Sequence, residues 1–163
     1  MVVVVTRPNL ANALGIYGTQ IQFCKNADPG MGASLSFRMQ LTQHWDACMI
    51  CLSDMPFIST ATYTQLAYSA YKKLIVGPEF NGVRGSPVVF GDRHFNSLRQ
   101  LQDDSGDKSV FARYPLDLKP LKVKYPRCFE IHQNAVGPSS LRSALTQLFR
   151  QRNFKRHALF AAG

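Results

Sequence analysis

The feature of this sequence most suited to chemistry is an acidic residue that follows an apolar run. Residues 48–52 (CMICL) are all apolar and predict a strand that is buried on both faces. Pro56 ends that strand, because proline has no N–H to donate and disfavours helical geometry at the residue before it. Asp54 is therefore expected at the carboxyl end of a central strand, where open α/β sheets bind ligands. A carboxylate there is suited to holding Mg²⁺ against substrate phosphates.

Asp54 also has a purely structural interpretation. Aspartate is a common helix N-cap, and a helix is expected to begin near Ser59 or Thr60. The local sequence leaves the metal ligand and the helix cap equally open.

A glycine-rich turn is the second feature with chemical potential. Residues 26–32 (NADPGMG) have the composition of a loop, and residues 34–43 have the spacing of a helix. A loop of this kind running into a helix offers backbone N–H groups and a positive dipole end to an anion. The signal is weak by itself, because many turns have the same composition.

The cysteines and histidines do not indicate a metal site. Cys48 and Cys51 form a C-x-x-C pair, but residues three apart on a strand point to opposite faces and cannot easily hold one metal. Buried, reduced thiols are the favoured interpretation. The remaining cysteines and the histidines share no metal-ligand spacing; they are Cys24, Cys128, His44, His94, His132 and His157.

Length and charge limit the class of protein. A chain of 163 residues suits one domain, residues 1–163, with a substantial core. The sequence has no apolar run long enough to cross a bilayer and no signal peptide, so a cytoplasmic protein without membrane contact is expected. The net charge is +9, of which +1 belongs to residues 1–118 and +8 to residues 119–163. This basic tail could attract nucleic acid, but a solvated helix face is favoured.

The elements that must position these residues alternate between strands and helices, which predicts an α/β fold with a mostly parallel sheet. Strands are expected at residues 2–6, 21–24, 47–53, 74–76, 87–90 and 121–124. Helices are expected at residues 10–14, 34–43, 60–71, 95–101, 109–113 and 141–150. Residues 79–87 are expected to form a loop.

Four segments together resemble the MobA-like nucleotidyltransferases, and among them most closely the molybdenum cofactor cytidylyltransferases. Residues 52–57 (LSDMPF) are similar to the family's D-x-P motif, whose aspartate binds Mg²⁺. Asn26 and residues 30–35 (GMGASL) are similar to the loop beside the nucleotide. Residues 82–90 (GVRGSPVVF) resemble a G-x-R-G-x-P-V-x-F segment, and residues 101–108 (LQDDSGDK) resemble an L-x-G-D-x-G-A-R turn. The likeness extends over residues 2–111.

The resemblance implies a three-layer, Rossmann-like fold of the nucleotide-diphospho-sugar transferase type. It implies Mg²⁺-dependent transfer of a nucleotide, CMP from CTP or the equivalent from another NTP, to molybdopterin or a related phosphorylated acceptor. Asp54 and Arg84 would be catalytic, with Asp54 as the metal ligand. Nucleotide-binding residues would be Asn26, Gly30, Met31 and Ser34. Substrate-binding residues would be Gly85, Pro87, Asp104 and Lys108. A surface ion pair with Glu79 is the alternative for Arg84, and a plain turn is the alternative for Asp104 and Lys108.

Two differences from the family lead to further expectations. The family opens with a strand and an L-A-A-G-x-S-x-R-x-G-x-x-K loop, and nothing similar precedes Val2. The family's D-x-D near its end corresponds here to Asn134 and Val136. The sheet is therefore expected to be truncated at its N-terminus, with residues 2–6 as an unpaired edge, and the chain is expected to transfer nucleotide poorly.

Two other function classes stay open. A non-catalytic protein that binds a phosphorylated ligand would keep the acceptor half of the fold without catalysis. A nucleic-acid-binding protein would use the basic residues 119–163, but these contain no recognised RNA or DNA motif, so nucleic acid is an unlikely partner.

Overall fold

A computed structural model describes most of the chain. The described residues are 2–6, 20–23, 30–52, 55, 58–70, 74–102, 108–124 and 157–161. Their strands are β1 (Val2–Thr6), β2 (Gln20–Phe23), β3 (Ala47–Leu52), β4 (Ile75–Phe80), β5 (Val83–Arg84), β6 (Val88–Gly91), β7 (Leu118–Lys122) and β8 (His157–Ala161). Their helices are α1 (Met31–Met39), α2 (Thr60–Tyr68), α3 (Phe95–Arg99), preceded by a 3₁₀ turn at Asp92–His94, and α4 (Lys108–Arg113).

All eight strands form one mixed sheet in the order β2-β1-β8-β3-β6-β4-β5, with β7 also paired to β4. β2, β1, β8 and β3 are parallel to one another. β6 is antiparallel to both β3 and β4, so β4 and its parallel neighbour β7 run in the same direction as β3. The expected mostly parallel α/β sheet is confirmed.

The expected unpaired edge at β1 is wrong. β1 is an inner strand, because Val4 is paired with Ile21 of β2 on one side and with Phe160 of β8 on the other. β8 in turn pairs with β3, where Ile50 faces Leu159. The expectation of a solvated helix face in residues 119–163 is also wrong in part, because β7 and β8 in that segment belong to the sheet.

β3 shows why the chain forms helices on both faces of the sheet. Its side chains alternate between two cores, as the period of a strand requires. Met49 and Cys51 pack with α2, where Leu66 is fully buried. Cys48 and Ile50 pack on the other face. Every residue from Ala47 to Cys51 is buried, which a strand covered on both faces requires.

The second face carries three helices. α1, α3 and α4 contribute Leu35, Met39, Leu98 and Val110 to the core beside Phe90. The rings of Phe90 and Phe111 are stacked with centroids 5.8 Å apart. The sheet with α2 on one face and these helices on the other is the expected three-layer arrangement.

The two cysteines of the C-x-x-C pair are free, buried thiols in different cores, as predicted. Burial raises the pKa of Cys48 to about 12, partly opposed by a backbone hydrogen bond involving Phe90. Burial, followed by repulsion from Cys48, also raises the pKa of Cys51. Both side chains are therefore neutral packing groups at physiological pH.

α1 starts and ends earlier than residues 34–43. Gly30 is its N-cap at φ 126°, a backbone conformation that residues other than glycine rarely adopt. After Met39 the Thr42 hydroxyl donates a 2.7 Å hydrogen bond to the Met39 carbonyl, which satisfies one of the open carbonyl groups at the helix end.

The predicted loop at residues 79–87 is partly wrong, because β4 continues to Phe80 and pairs with β5 in a hairpin. The turn consists of Asn81 at φ 50° and Gly82 at φ 81°. Type I′ hairpin turns require a positive φ at both central residues, which Asn-Gly adopts readily. In the part of the chain that the structure describes, no helix is long and apolar enough to cross a membrane.

Candidate functional site

Several described segments that carry or flank candidate residues meet at one edge of the sheet. The parallel strands β2, β1, β8, β3, β4 and β7 all end at this carboxyl edge, and the antiparallel β6 begins there. Asp54 follows the end of β3 by two residues, Arg84 lies in the hairpin that follows β4, and Pro87 immediately precedes β6. Segments that are distant in sequence are brought together because parallel strands share this edge.

α1 begins after Gly30, which follows the segment after β2. No side chain of the described residues caps Gly30, and the first turn of the helix has no acidic residue. The N-terminus of a helix can offer backbone N–H groups and the positive end of its dipole to an anion. Met31 is half-buried, and Ser34 is buried in α1 with 7% exposure. A helix follows the glycine-rich turn, as predicted, whereas residues 26–29 of that turn lie outside the described residues and its role in binding an anion stays a prediction.

Arg84 is exposed on β5 at the carboxyl edge. Its cross-strand neighbour is Glu79, but the carboxylate of Glu79 is paired with Lys122, Oε1 to Nζ 3.7 Å. Within the described part of the chain, Arg84 makes no ion pair, so the surface pair with Glu79 that the sequence left open is not observed. An exposed guanidinium at this edge can bind two phosphate oxygens at once.

Gly85 and Pro87 shape the segment that carries Arg84. The Gly85 amide donates a 2.9 Å hydrogen bond to the Pro78 carbonyl. Pro87 is buried and joined to Ser86 by a cis peptide bond. The Gly85 hydrogen bond ties the segment after Arg84 back to β4.

Asp54 lies outside the described residues, but the helix that follows it in the sequence bears on its role. The helix cap that competed with the metal-ligand interpretation is Ser59, whose hydroxyl accepts the Thr62 amide at 3.2 Å. α2 therefore begins with a serine N-cap five residues after Asp54. Ser59, rather than Asp54, therefore occupies the N-cap position that was the alternative explanation for this carboxylate.

The remaining predicted residues are not brought to this edge by any described contact. Asn26 and Asp104 lie outside the described residues. Lys108 is exposed at the first position of α4, and among the described residues it has no hydrogen bond or ion pair with Arg84 or α1. A cavity of about 350 Å³ lies beside it between α3 and α4. It is lined by Ser97, Gln100, Leu101, Gln102, Ser109, Val110 and Arg113.

Whether this edge of the sheet can hold a divalent cation depends on Asp54. In the described ranges, no three His, Cys, Asp or Glu side chains are grouped as metal ligands. A cation at this edge would therefore have few protein ligands and would take most of its oxygens from substrate phosphates and water, which is how Mg²⁺ is commonly held. One carboxylate after β3 fits that donor set.

Sequence reasoning missed three features: the hairpin, the contact of Lys122 and β8. The hairpin was signalled by Asn81-Gly82 between apolar residues, which is a strong local indication of a two-residue turn. Lys122, which pairs with Glu79, had no local signal, because the contact depends on the parallel pairing of β4 with β7. β8 was missed because its five residues lie in a strongly basic segment.

Comparison with known proteins agrees with this geometry. A family model described as "MobA-like NTP transferase domain" matches residues 1–118, seven residues further than the likeness seen in the motifs. No curated protein sequence matches the chain.

Several solved structures share the fold. A nucleotidyl transferase from Methanothermobacter, Mth528, superposes with a TM-score of 0.67 at 18% identity, covering 91% of this chain and 73% of that one. Rv0371c from Mycobacterium tuberculosis superposes with a TM-score of 0.66 at 16% identity, covering 89% of this chain and 75% of that one. The manganese complex of Rv0371c gives a TM-score of 0.60 at 17% identity, covering 75% and 86%. At these identities the likeness shows the nucleotidyl transferase fold.

Proposed function

The chain belongs to the MobA-like NTP transferase domain family, and from that premise we propose that it transfers a nucleotide from an NTP to a phosphorylated acceptor. The proposed donor is CTP and the proposed acceptor is molybdopterin or a related phosphorylated compound. The support for CTP and molybdopterin is the G-x-R-G-x-P-V-x-F likeness of residues 82–90. The observation that supports the proposal most is that β2 and β3, which precede Gly30 and Asp54 in the sequence, end at the same edge of the sheet as β4, whose hairpin carries Arg84.

The proposed reaction is an in-line displacement at phosphorus. An oxygen of the acceptor's terminal phosphate forms a bond to the α-phosphorus of the NTP, the bond between the α-phosphorus and the bridging oxygen breaks, and pyrophosphate leaves. Such transfer depends on positioning and charge neutralisation rather than on a covalent enzyme intermediate. The protein must therefore bind two anionic substrates side by side.

The described residues offer a separate binding group for each of the two substrates. The N-terminus of α1 would bind phosphate oxygens of the nucleotide through backbone N–H groups. Arg84 would pair with the acceptor phosphate or the transferred group, because its guanidinium is exposed and lacks an ion-pair partner among the described residues. Gly85 and Pro87, which follow Arg84 by one and three residues, would fix the position of Arg84.

We assign the metal role to Asp54 and the metal to Mg²⁺. Support comes from the D-x-P likeness, from the Ser59 cap that fills the competing role, and from the manganese bound in the crystallised neighbour Rv0371c. When bound, Mg²⁺ would neutralise charge on the triphosphate and on the incoming phosphate. Asn26, Asp104 and Lys108 remain proposed substrate contacts at the nucleotide and acceptor sides.

The test is to incubate the purified chain with CTP, Mg²⁺ and molybdopterin and to follow pyrophosphate release, with GTP, ATP and UTP as parallel donors. Acceptor-dependent release confirms transfer, and the donor that supports it identifies the base. Binding of nucleotide or acceptor without release would instead favour the second candidate, a non-catalytic protein that binds phosphorylated ligands. Absence of both binding and release would contradict the proposal.

The cytoplasm is the proposed location, because nucleoside triphosphates are the proposed substrates and no described helix could span a membrane. Nucleic acid is not a proposed partner, since β7 and β8 place part of the basic segment in the sheet.

A further inference from the structure

The cavity between α3 and α4 has no role in the proposed transfer reaction. Its volume of about 350 Å³ lies within the range of roughly 300–1,000 Å³ that small-molecule sites occupy. Two of its lining residues, Leu101 and Val110, are buried members of the core on this face of the sheet. The other described lining residues are serine, glutamine and arginine. Because this lining offers both apolar contact and hydrogen bonds, it suits a small polar molecule.

The lining includes a buried hydroxyl group, that of Ser97. Ser97 is 8% exposed, and its Oγ lies 2.9 Å from the hydroxyl oxygen of Tyr114. The Tyr114 ring is held in turn by an edge contact with the ring of His94, with centroids 4.8 Å apart. Two hydroxyl groups that share one hydrogen bond keep one O–H group and several lone pairs for other partners. Ser97 is therefore held in place and can still donate to a ligand or accept from one.

Arg113 gives the cavity a positive charge. Its guanidinium carbon lies 5.7 Å from the centre of the Tyr114 ring, and among the described residues it has no ion pair. The described part of the lining contains no acidic side chain. Gln100 and Gln102 line the same cavity, and neither side chain is hydrogen-bonded to a described residue. A guanidinium with amide and hydroxyl groups beside it is rich in hydrogen-bond donors, which favours an anion.

The described contacts anchor one wall of this cavity at the amino edge of the sheet. β6 begins at the carboxyl edge, so His94, three residues after the end of β6, lies near the amino edge. Its Nε2 is 3.5 Å from Oδ2 of Asp117, which directly precedes β7. The Asp117 carbonyl accepts a 2.9 Å hydrogen bond from the amide of Ile75, the first residue of β4. The Tyr114 ring and the wall next to it are thus fixed from the amino edge, whereas the transfer site is proposed at the carboxyl edge.

We propose that the cavity between α3 and α4 is a second ligand site, separate from the transfer site, which binds a small organic anion. Arg113 pairs with a carboxylate or phosphate group of that anion. Ser97 and the two glutamine amides bind hydroxyl or carbonyl groups on its body, and Leu101 and Val110 contact its carbon atoms. This site does not depend on the proposed nucleotide transfer, because none of the described lining residues has a role in that reaction.

The test is backbone NMR of the uniformly ¹⁵N-labelled full chain, titrated separately with glycerol 3-phosphate, malate and glycerol. The first two probes carry a phosphate and carboxylates on a small hydroxylated body, and glycerol is their uncharged match. We expect the amides of Ser97, Gln100 and Arg113 to shift with at least one of the two anions and not with glycerol. The anion with the lower Kd shows whether the site prefers phosphate or carboxylate.

Three results would overturn the inference. The first is the absence of shifts at the lining amides with both anions. The second is a set of shifts of the same size with glycerol, because the site would then not select for charge. The third is a set of shifts confined to residues outside the cavity, such as Arg84, which would leave the proposed transfer site standing.

Variants of Arg113 separate its guanidinium from the general positive charge of the chain. Arg113→Gln should raise the Kd of the bound anion at least about tenfold, since a hydrogen bond to a charged group is lost. Arg113→Lys keeps the charge and should raise the Kd less. Lys119→Gln is the matched control, because it removes one exposed positive charge from β7 outside the cavity and should leave the Kd unchanged. Equal Kd changes in Arg113→Gln and Lys119→Gln, with folding confirmed by their amide spectra, would contradict the inference.

Discussion

The carboxylate of Glu79 lies 3.7 Å from the ammonium group of Lys122, although Glu79 faces Arg84 directly across the β4–β5 hairpin. Lys122 is 83% exposed and Glu79 17% exposed, so this ion pair is at the surface and contributes little to stability. The ion pair matters for Arg84, because Glu79, the acidic neighbour that could have neutralised Arg84, is paired with Lys122 instead.

Arg84→Ala should reduce nucleotide transfer by on the order of 10²-fold while leaving the fold stable, because an exposed arginine contributes to phosphate binding rather than to packing. Pyrophosphate release and the urea unfolding midpoint would be measured together. Lys119→Ala is the matched control, since it removes one exposed positive charge from the neighbouring edge strand β7. Equal losses in the two variants would mean that net charge, rather than the position of Arg84, determines activity.

Glu79→Gln should leave transfer nearly unchanged, because it releases Lys122 without altering the state of Arg84. The measurement is the same assay over a range of salt concentrations. If the variant instead gains or loses most of its activity, Glu79 takes part in the site, as a neighbour of Arg84 or as a ligand of the cation.

Asp54→Asn should abolish Mg²⁺-dependent transfer, since the amide keeps the size of the side chain but lacks the negative charge that holds a hard cation. Asp46→Asn is the control, because Asp46 directly precedes β3 and carries the same charge at the opposite edge of the sheet. Both variants should retain the wild-type circular dichroism spectrum. Turnover by Asp54→Asn at the wild-type rate would rule out Asp54 as the metal ligand.

The buried thiols predict how stability depends on alkaline pH. In the unfolded chain a cysteine ionises near pH 8.5, whereas in the native protein burial raises the pKa of Cys48 to about 12. Above pH 8.5 the unfolded state therefore loses a proton that the native state keeps, and the free energy of unfolding falls as pH rises toward 12. The slope from one such thiol is at most about 1.4 kcal/mol per pH unit.

This dependence can be measured by urea unfolding at pH 8, 9 and 10 under reducing conditions. Cys48→Ala should show a shallower decline than the wild type, because the variant lacks one of the thiols. A decline of equal slope in both proteins would assign the alkaline loss of stability to other groups.

Arg99→Ala should lower the free energy of unfolding by about 1–2 kcal/mol, because Arg99 links α3 to α1. Its Nε donates a 2.9 Å hydrogen bond to the Met39 carbonyl at the end of α1, and its Nη1 donates a 2.8 Å bond to Asn96. Arg93→Ala is the comparison, since Arg93 is 55% exposed and pairs with Asp117 at 3.5 Å. A larger loss for Arg93→Ala would contradict the importance assigned to the contact between α1 and α3.

Local pattern was sufficient for the elements whose environment depends on their own residues. The apolar run at β3 indicated a strand buried on both faces, and the three-residue spacing of Cys48 and Cys51 placed them in separate cores, both confirmed by the structure. The strand period is short and independent of the partner strands, so the sequence alone predicts which face each side chain takes. The position of Asp54 at the end of an apolar strand and before Pro56 was visible for the same reason.

Helix boundaries and the hairpin were less accurately predicted. α1 begins at Met31 rather than at residue 34, because the conformation of Gly30 caps it from outside the apolar pattern. Composition predicts a loop at residues 79–87, although the Asn-Gly turn of the β4–β5 hairpin is a local signal. In both places glycine conformation, rather than hydrophobic periodicity, determines where the element begins or turns.

Only the tertiary structure decided what lies between β1 and β3. β8 pairs with a strand about 150 residues earlier in the chain, Val3 with Leu159, and no local pattern specifies a partner at that distance. The predicted unpaired edge at β1 was wrong for this reason, since five residues in a basic segment supply the inner strand. The sequence by itself determined the family, the core of β3 and the chemistry of the candidate residues. That the strands preceding Asp54 and Arg84 share one edge was decided by strand pairing, because hydrogen bonds between distant segments depend on the arrangement of the whole sheet.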